Sequence, residues 1–251
     1  MSGHSHWATI KRKKSAADAK KGKIFTRLAR EIVIAVREGG GDPELNVRLE
    51  LAMDKAKAAN MPKDSIERAI KRGTGEDKEG EDFQEIIYEG YAPHGVALMI
   101  ECVTENRNRT VAELRHILSK AGGNMADPGS VSWQFERMTY FALPGEEHDF
   151  DDIFELAVEA GADDISQEDN LIEIFGKPNS FQTIADHLSK ANIKPEDSGI
   201  RFMPKQEISL DTEKVVKVMR VIENLEDLDD IQNIYSNLNI TEEAITAMEN
   251  S

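Results

Sequence analysis

The amino-acid sequence predicts a multidomain α+β protein: a small N-terminal helical domain followed by two ferredoxin-like α+β domains, one inserted in the other. Apolar residues recur with the helical period up to about Gly75, and mostly with the strand period of two after it. Residues 138–204 also show the element order βαββαβ of a split βαβ sheet. We therefore expect domains at 1–75, at 82–137 plus 205–240, and at 138–204.

Three short helices are predicted for the first domain. The first carries apolar residues at helical spacing, namely Ile24, Leu28, Ile32 and Val36. Gly39–Gly41 ends it, and Asp42 is predicted to cap a second helix with Pro43 at its first position. Pro62 begins a third helix that Gly73 closes. No helix of this length buries its apolar side alone, so the three must pack on one another.

The second domain is predicted to be discontinuous. Its strands are expected over 86–91, 96–103, 131–135 and 231–238, and its helices over 110–121 and 212–224. Thr110 followed by Glu113 has the spacing of a capping box at the start of the helix 110–121. The Gly-rich stretch 73–80 is predicted to link it to the helical domain.

The third domain is predicted to occupy the gap in the second. Its strands are expected over 140–143, 164–167, 171–175 and 200–203, and its helices over 151–160 and 181–191. Insertion of one domain at a surface turn of another is well tolerated, so this nesting is physically acceptable.

Charge is strongly segregated along the chain. The first 75 residues hold 17 Lys+Arg and 9 Asp+Glu, a net of +8, whereas the whole chain has a net of −16 and the other 176 residues therefore −24. The excess is concentrated in one arm: Lys11, Arg12, Lys13, Lys14, Lys20, Lys21, Lys23, Arg27 and Arg30. Such an arm attracts phosphate, while the acidic remainder repels nucleic acid and restricts contact to one end. The alternative is an ordinary solvated helix face.

A second cationic segment lies within the acidic part. Arg107 and Arg109 occupy the loop and first turn before the helix predicted from Thr110. A helix N-terminus offers free N–H groups, so arginines there favour a phosphate, and we expect a secondary nucleic-acid contact. The alternative is that both arginines pair with neighbouring carboxylates or are simply solvated.

No catalytic or cofactor-binding pattern stands out. Cys102 is the single cysteine, lies in an apolar strand pattern and is predicted to be a buried inert thiol. The six histidines have no zinc-site spacing, and we expect no physiological metal, cofactor or enzymatic activity. If Met1 is removed, Ser2-Gly3-His4 can hold Cu(II) or Ni(II) adventitiously. No apolar run is long enough for a membrane helix and no secretory signal is visible, so we expect a cytoplasmic protein without a membrane partner, and a monomer.

Several motifs resemble the YebC family. They are 3–11 (Gly-His-Ser-His-Trp-Ala-Thr-Ile-Lys), 17–25, 39–43, 58–64, 66–70, 88–91, 104–110 and 129–131. His6 is a departure, since the family pattern leads us to expect Lys there. The resemblance implies three domains, a helical one and two α+β, in a cytoplasmic DNA-binding transcriptional regulator. Relatives that include a mitochondrial translational activator of cytochrome oxidase act instead with mRNA and the ribosome, so DNA and RNA both remain open as partners.

The sequence thus favours a non-enzymatic regulator of gene expression that binds nucleic acid. The predicted contacts are His4, His6, Trp7, Lys11, Arg12, Lys13, Lys14, Lys20, Lys21, Lys23, Arg27, Arg30, Arg107 and Arg109. Trp7 has two interpretations, stacking on an unpaired base or docking on the helical domain. Two other functional classes remain as alternatives: a metal-assisted hydrolase that uses the acidic part, and a scaffold that binds proteins through it.

Overall fold

The computed structural model describes residues 18–76, 83–168 and 170–249. Three helices come first: α1 (Asp18–Gly39), α2 (Val47–Ala58) and α3 (Lys63–Thr74). The remaining elements, in chain order, are β1 (Gln84–Tyr91), β2 (Ala97–Thr104), α4 (Arg107–Ala121), β3 (Asn124–Ala126), β4 (Phe135–Pro144), α5 (Phe150–Glu159), β5 (Ala162–Glu168), β6 (Leu171–Gly176), α6 (Phe181–Lys190), β7 (Asp197–Pro204), α7 (Thr212–Glu226), β8 (Ile231–Ser236) and α8 (Glu242–Glu249).

The three N-terminal helices share one apolar core, as predicted. Its buried members include Ile32 and Val36 of α1, Leu49 of α2 and Ile66 of α3. The predicted cap of the second helix was wrong. The cap is Asn46, which is buried and accepts a hydrogen bond from the amide of Leu49 at 3.1 Å. Its amide group also donates to the carbonyl oxygens of Ala35 in α1 and of Gly40 just after it. Helix α2 therefore begins at Val47, the residue after this cap.

The third helix ends slightly later than predicted. It continues through Gly73 to Thr74, and the following Gly75 has a φ of +79°, the left-handed conformation that commonly ends helices. Residues 73 and 74 of the predicted linker therefore belong to α3, residues 75 and 76 follow its end, and residues 77–80 lie outside the described residues.

The described part of the chain divides into two compact units. Unit 1 comprises the residues up to Phe135 and those from Pro204 onward, and unit 2 comprises Glu136–Met203. Each unit contains one four-stranded sheet, in the orders β3-β1-β2-β8 and β5-β6-β4-β7. The α+β class with an N-terminal helical domain is thereby confirmed.

Unit 1 packs α4, α7 and α8 against its sheet. Leu98, Ile100 and Cys102 of β2 contribute to the same core as Leu118 of α4 and Leu225 of α7. The predicted strand over 131–135 was wrong: the fourth strand is β3, which pairs with β1 in antiparallel fashion, and residues 132–134 form a short 3-10 helix. Helix α8 was not predicted.

Unit 2 has the four strands and two helices predicted for the third domain. Its strand order is that of a split βαβ sheet, with β4 and β6 in the centre. These two strands are antiparallel, and Thr139 of β4 lies opposite Gly176 of β6. Strand β4 is longer than predicted and begins at Phe135. The core under the helices includes Phe141, Ile153 and Ile184.

None of the helices in residues 18–76, 83–168 and 170–249 is both long and apolar enough to cross a membrane.

Candidate nucleic-acid interface

The predicted contact residues fall into two groups. Those that precede α1 lie outside the described residues, as does the Ser2-Gly3-His4 motif; they are His4, His6, Trp7, Lys11, Arg12, Lys13 and Lys14. The others belong to described elements. Lys20 and Lys21 lie in or next to the first turn of α1, and the structure also gives the side-chain surroundings of Lys23, Arg27, Arg30, Arg107 and Arg109.

One side of α1 carries three cations at helical spacing, namely Lys23, Arg27 and Arg30. Each donates a hydrogen bond to a backbone carbonyl oxygen between the end of α7 and the second residue of β8; the acceptors are Asp227, Gln232 and Asp229, respectively. Carbonyl groups at the C-terminal end of a helix attract cations because they carry partial negative charge. These three residues therefore join the helical domain to the sheet domain within unit 1.

Asp230 is the centre of this contact. Its side chain is 2% exposed and accepts two hydrogen bonds from Arg109, at 2.9 and 2.8 Å, while Arg30 pairs with it at 3.0 Å. The hydroxyl groups of Thr104 and Thr110 donate to the same carboxylate at 3.0 and 2.7 Å. Burial alone raises the pKa of Asp230, but the hydrogen bonds from Arg109, Thr110 and Thr104 and the charge of Arg30 outweigh it and hold that pKa below its ordinary value.

The start of α4 explains how Thr110 reaches Asp230. The predicted capping box at Thr110 was wrong, because α4 begins at Arg107 and its cap is Asn106, whose side chain accepts from the amide of Arg109 at 3.1 Å. Thr110 is thus one turn inside the helix and buried, where its hydroxyl group faces the carboxylate. The same early start places Arg109 in the first turn.

A second charged contact lies beside Asp230. The guanidinium carbon of Arg72 is 4.1 Å from the centroid of the Phe83 ring. Arg72 also pairs with Glu105, which lies in the short loop between β2 and α4. Arg30 approaches the same ring at 5.3 Å. Phe83 thus lies near two guanidinium groups, an arrangement that stabilises each cation through the ring face.

These contacts change how the described cations are interpreted. Arg27 and Arg30 are held by groups within unit 1, and burial lowers the pKa of Arg27 in opposition to the charge of Glu31. Arg109 pairs with a carboxylate, which is the alternative that the sequence left open, although its side chain remains 51% exposed. The exposed cations on this side of unit 1 include Lys23 and Arg107. Further exposed cations lie on α2 and α3: Lys57, Lys63, Arg68 and Lys71.

Comparison with known proteins decides the family. Residues 5–76 match the TACO1/YebC protein N-terminal domain, and residues 83–238 match the TACO1/YebC second and third domain. The chain belongs to the TACO1/YebC family. The resemblance inferred from the sequence motifs is thereby confirmed.

Relatives in the family match over nearly the whole chain. A protein of Acidithiobacillus ferrooxidans is 51% identical over 249 residues, 99% of each chain, and one of Geotalea uraniireducens is 48% identical over 248 residues, 99% of this chain and all of the relative. Both are named "Probable transcriptional regulatory protein". The crystal structure of a conserved hypothetical protein from Aquifex aeolicus is 44% identical, covers 94% of this chain and 98% of its own, and has a TM-score of 0.84.

Residues 18–76, 83–168 and 170–249 contain no group of three or more His, Cys, Asp or Glu side chains that could hold a metal ion. Cys102 is buried in the core of unit 1, and burial, followed by the charges of Asp230 and Glu101, raises the pKa of its thiol. A thiol in that state is a poor nucleophile.

The sequence did not identify Asp230 as important. It lies in an acidic stretch, Glu226-Asp227-Leu228-Asp229-Asp230, in which nothing distinguishes one carboxylate from the next. Its partners Arg109 and Arg30 are 121 and 200 positions away along the chain, and no local pattern connects them.

Proposed function

We propose that this chain is a non-enzymatic, nucleic-acid-binding regulator of gene expression that acts in the cytoplasm. The observation that carries the proposal is the segregation of charge, with a net of +8 over residues 1–75 and −24 over the rest. A basic segment attracts the phosphate backbone, and an acidic remainder limits contact with it to one end of the chain. The names of the relatives from Acidithiobacillus and Geotalea support a regulatory role.

Fewer cations are assigned to the phosphate contact than the sequence alone predicted. Residues 18–76 hold 13 basic and 10 acidic side chains, a net of +3, whereas residues 1–17 hold four basic side chains and no acidic one. Because Arg27 and Arg30 are bound within unit 1, we assign phosphate contact chiefly to Lys11–Lys14. Lys20 and Lys21 remain in the proposed contact, as does Lys23, whose side chain is 49% exposed although it pairs with Asp227. Arg107 and the exposed part of Arg109 form the secondary contact.

The identity of the nucleic acid gives two candidate functions. The relatives' names support a transcriptional regulator, and for that function the nucleic acid would be DNA. The alternative is a translation factor that binds ribosomal RNA and relieves stalls, such as those at proline runs. Its support is the type of cation, because a run of Lys acts as point charges suited to following a phosphate backbone. Readers of duplex DNA usually present Arg, Asn or Gln on a rigid helix to base edges. We therefore expect weak, salt-sensitive duplex binding and a tighter complex with ribosomes.

The phosphate contact is tested by salt dependence. Replacing Lys11, Arg12, Lys13 and Lys14 by Ala should weaken binding and reduce the slope of log K against log salt by up to about 3.6 on duplexes and about 2.8 on single strands. The matched control replaces the four exposed cations of α2 and α3, Lys57, Lys63, Arg68 and Lys71, which changes the net charge equally. Fluorescence anisotropy with labelled oligonucleotides measures both. An equal loss in the control, or an unchanged slope in the first variant, would remove Lys11–Lys14 as the contact.

An experiment in cells distinguishes the two candidate targets, DNA and the ribosome. Crosslinking followed by sequencing of the bound nucleic acid, with sedimentation on a sucrose gradient, should recover ribosomal RNA if the translation function is right. Recovery of discrete promoter fragments, with no protein in the ribosomal fractions, would instead establish the transcriptional function. Turnover of phosphoesters with Mg²⁺ or Mn²⁺, lost when acidic residues are replaced, would contradict the proposal that the chain is not an enzyme.

A further inference from the structure

Trp133 is a large aromatic side chain held on the surface of unit 1. It lies in the short 3-10 helix Ser132–Gln134 and is 67% exposed. Its neighbours two positions away, Val131 and Phe135, are both buried. The backbone on either side of the indole is therefore anchored in the protein while the ring itself faces solvent.

A buried carboxylate fixes the loop that carries this ring. Glu89 of β1 is 8% exposed and accepts hydrogen bonds from the amides of Gly129, Val131 and Ser132 at 2.7, 2.6 and 3.0 Å. Burial raises the pKa of Glu89, but these amide hydrogen bonds outweigh it and hold the pKa below its ordinary value, so the carboxylate stays charged and bound at neutral pH. The loop is thus tied to the sheet at three amides in the four residues that precede Trp133.

The polar atom of the indole is already satisfied within the loop. Trp133 Nε1 donates to the carbonyl oxygen of Ser130 at 2.9 Å, and the hydroxyl group of Tyr91 donates to the same oxygen at 3.2 Å. What Trp133 presents to solvent is therefore chiefly its apolar π surface. Because the loop is ordered in advance, binding a flat ligand there costs little conformational entropy.

A cation is attached to the same segment. The backbone amide of Lys205 donates to the carbonyl oxygen of Gln134 at 2.9 Å, and its Nζ donates to the carbonyl oxygen of Trp133 at 2.9 Å. An ammonium group has three N–H donors, so two remain for another acceptor, and the Lys205 side chain is exposed. An exposed ring and an exposed ammonium group thus belong to one rigid segment, since Lys205 Nζ binds the backbone carbonyl oxygen of Trp133 itself.

We propose that Trp133 and Lys205 form a binding point for a single unpaired nucleotide, with its base stacked on the indole and its phosphate paired with the Lys205 ammonium group. The inference rests on the proposed nucleic-acid function and names a contact outside the basic N-terminal segment. Every nucleobase has a flat π face, so such a site is tolerant of sequence but requires a base that is free to leave its stack. It selects single strands, loops and bulges over uninterrupted duplex.

The two tryptophans of the chain make a direct test practical. In a Trp7→Phe background Trp133 is the only tryptophan, so intrinsic fluorescence reports this site alone. A mixed-sequence single-stranded RNA 12-mer should quench that fluorescence, whereas a fully paired RNA duplex should bind without quenching it. Anisotropy of a labelled copy of each RNA, measured in the same titration, reports binding independently of Trp133.

Substitutions quantify the contact. Trp133→Ala should weaken single-strand binding about five- to 150-fold, the range expected for one stacked base, whereas Trp133→Phe should retain most of the affinity. Lys205→Ala should reduce the salt slope by about 0.7, the value for one phosphate of a single strand. Leu45→Ala is the matched control, since Leu45 is 83% exposed in the helical domain and its replacement should leave affinity unchanged.

The outcomes separate this site from the proposed function. If RNA binds but neither quenching nor a loss on Trp133→Ala is seen, the stacking site is wrong and the proposed function stands. Equal quenching by single strand and duplex would also overturn it. If no nucleic acid binds any variant, both fail, and co-purification of a protein with the wild type but not with Trp133→Ala would assign the ring to a protein partner instead.

Discussion

Replacing Asp230 by Asn should destabilise unit 1 strongly. The carboxylate is 2% exposed and accepts from two hydroxyl groups and a guanidinium group while pairing with Arg30, whose side chain is only 10% exposed. Removing one partner of a buried ion pair costs about 3–5 kcal/mol, because the remaining charge is left uncompensated. With a urea m-value of about 2 kcal/mol/M, the unfolding midpoint should fall by roughly 1.5–2.5 M.

Asp227→Asn is the matched control for this experiment. Asp227 lies three residues earlier and also pairs with a cation of α1, Lys23, at 3.4 Å, but the two side chains are 68% and 49% exposed. An exposed pair contributes at most about 1 kcal/mol. Urea unfolding of both variants in the Trp7→Phe background, followed by the fluorescence of Trp133, measures the stability of unit 1. If Asp230→Asn shifts the midpoint no more than Asp227→Asn does, the buried network does not hold the helical domain to the sheet.

The same network predicts a pH dependence. The pKa of Asp230 is lower in the folded chain than in the unfolded chain, so between the two values the unfolded state binds more protons and stability rises with pH. The contribution of Asp230 is complete above its unfolded value of about 3.9 and is lost as the pH falls through its lowered folded value. The gap in unfolding free energy between wild type and Asp230→Asn should therefore shrink in acid, and a constant gap from pH 7 to pH 2 would contradict this explanation.

Three further predictions concern unit 1. Cys102 should not react with a thiol reagent until the chain unfolds, since burial raises the pKa of its thiol; rapid labelling of native protein in a colorimetric assay would disprove this. Gly123→Ala should cost at least about 1–3 kcal/mol in urea unfolding, because the added Cβ would lie 2.2 Å from the carbonyl oxygen of Tyr91, whereas Gly22→Ala in α1 meets nothing within 4 Å and should be neutral or stabilising. Phe83→Leu, which keeps an apolar side chain but removes the ring face beside Arg72 and Arg30, should destabilise by about 0.5–2 kcal/mol, and no change in the midpoint would exclude a cation–π contribution.

Most helices and strands could be predicted because their periodicity is local. Strands β2 and β6 carry nearly continuous apolar runs, and the structure places them and β1 within two residues of the predicted bounds. Helix α1 ends at Gly39 as predicted and begins at Asp18, six residues before the first apolar residue of its predicted stripe. Strand β3 has only three residues, and it exists because Asn124–Ala126 pairs with β1, a contact that no local pattern encodes. Tertiary pairing of this kind overrides propensity in short segments.

The residues 131–135 show how a pattern of period two can mislead. Val131, Trp133 and Phe135 alternate as strand residues do, but three amides of this region, those of Gly129, Val131 and Ser132, bind Glu89 rather than a neighbouring strand. No role for Glu89 was predicted from the sequence. Its role depends on a loop that lies about 40 positions further along the chain, and no local pattern connects the two.

The sequence predicts which cations the candidate site contains, but it does not predict which of them bind partners within the protein. The excess of cations before residue 75 is visible by counting, and so are the arginines at 107 and 109. Whether a given arginine faces solvent or an internal carboxylate depends on its distant partners, as Arg30 and Asp230 illustrate across 200 positions. Charge counting therefore overestimated the number of cations free for an external ligand.

The nesting of unit 2 within unit 1 has a consequence for the order of events during synthesis. Every strand and helix of unit 2 lies between Phe135 and Pro204, so that unit can complete its core as soon as it leaves the ribosome. Unit 1 cannot complete its core at that stage. Strand β2 pairs with β8, and Arg30 pairs with Asp230, and both partners lie in the last fifth of the chain. Domains fold as units during translation, and exposed strand edges favour misassembly. The sheet of unit 1 therefore keeps one edge of β2 unpaired until β8 is made, which is after the whole of unit 2 has been synthesised.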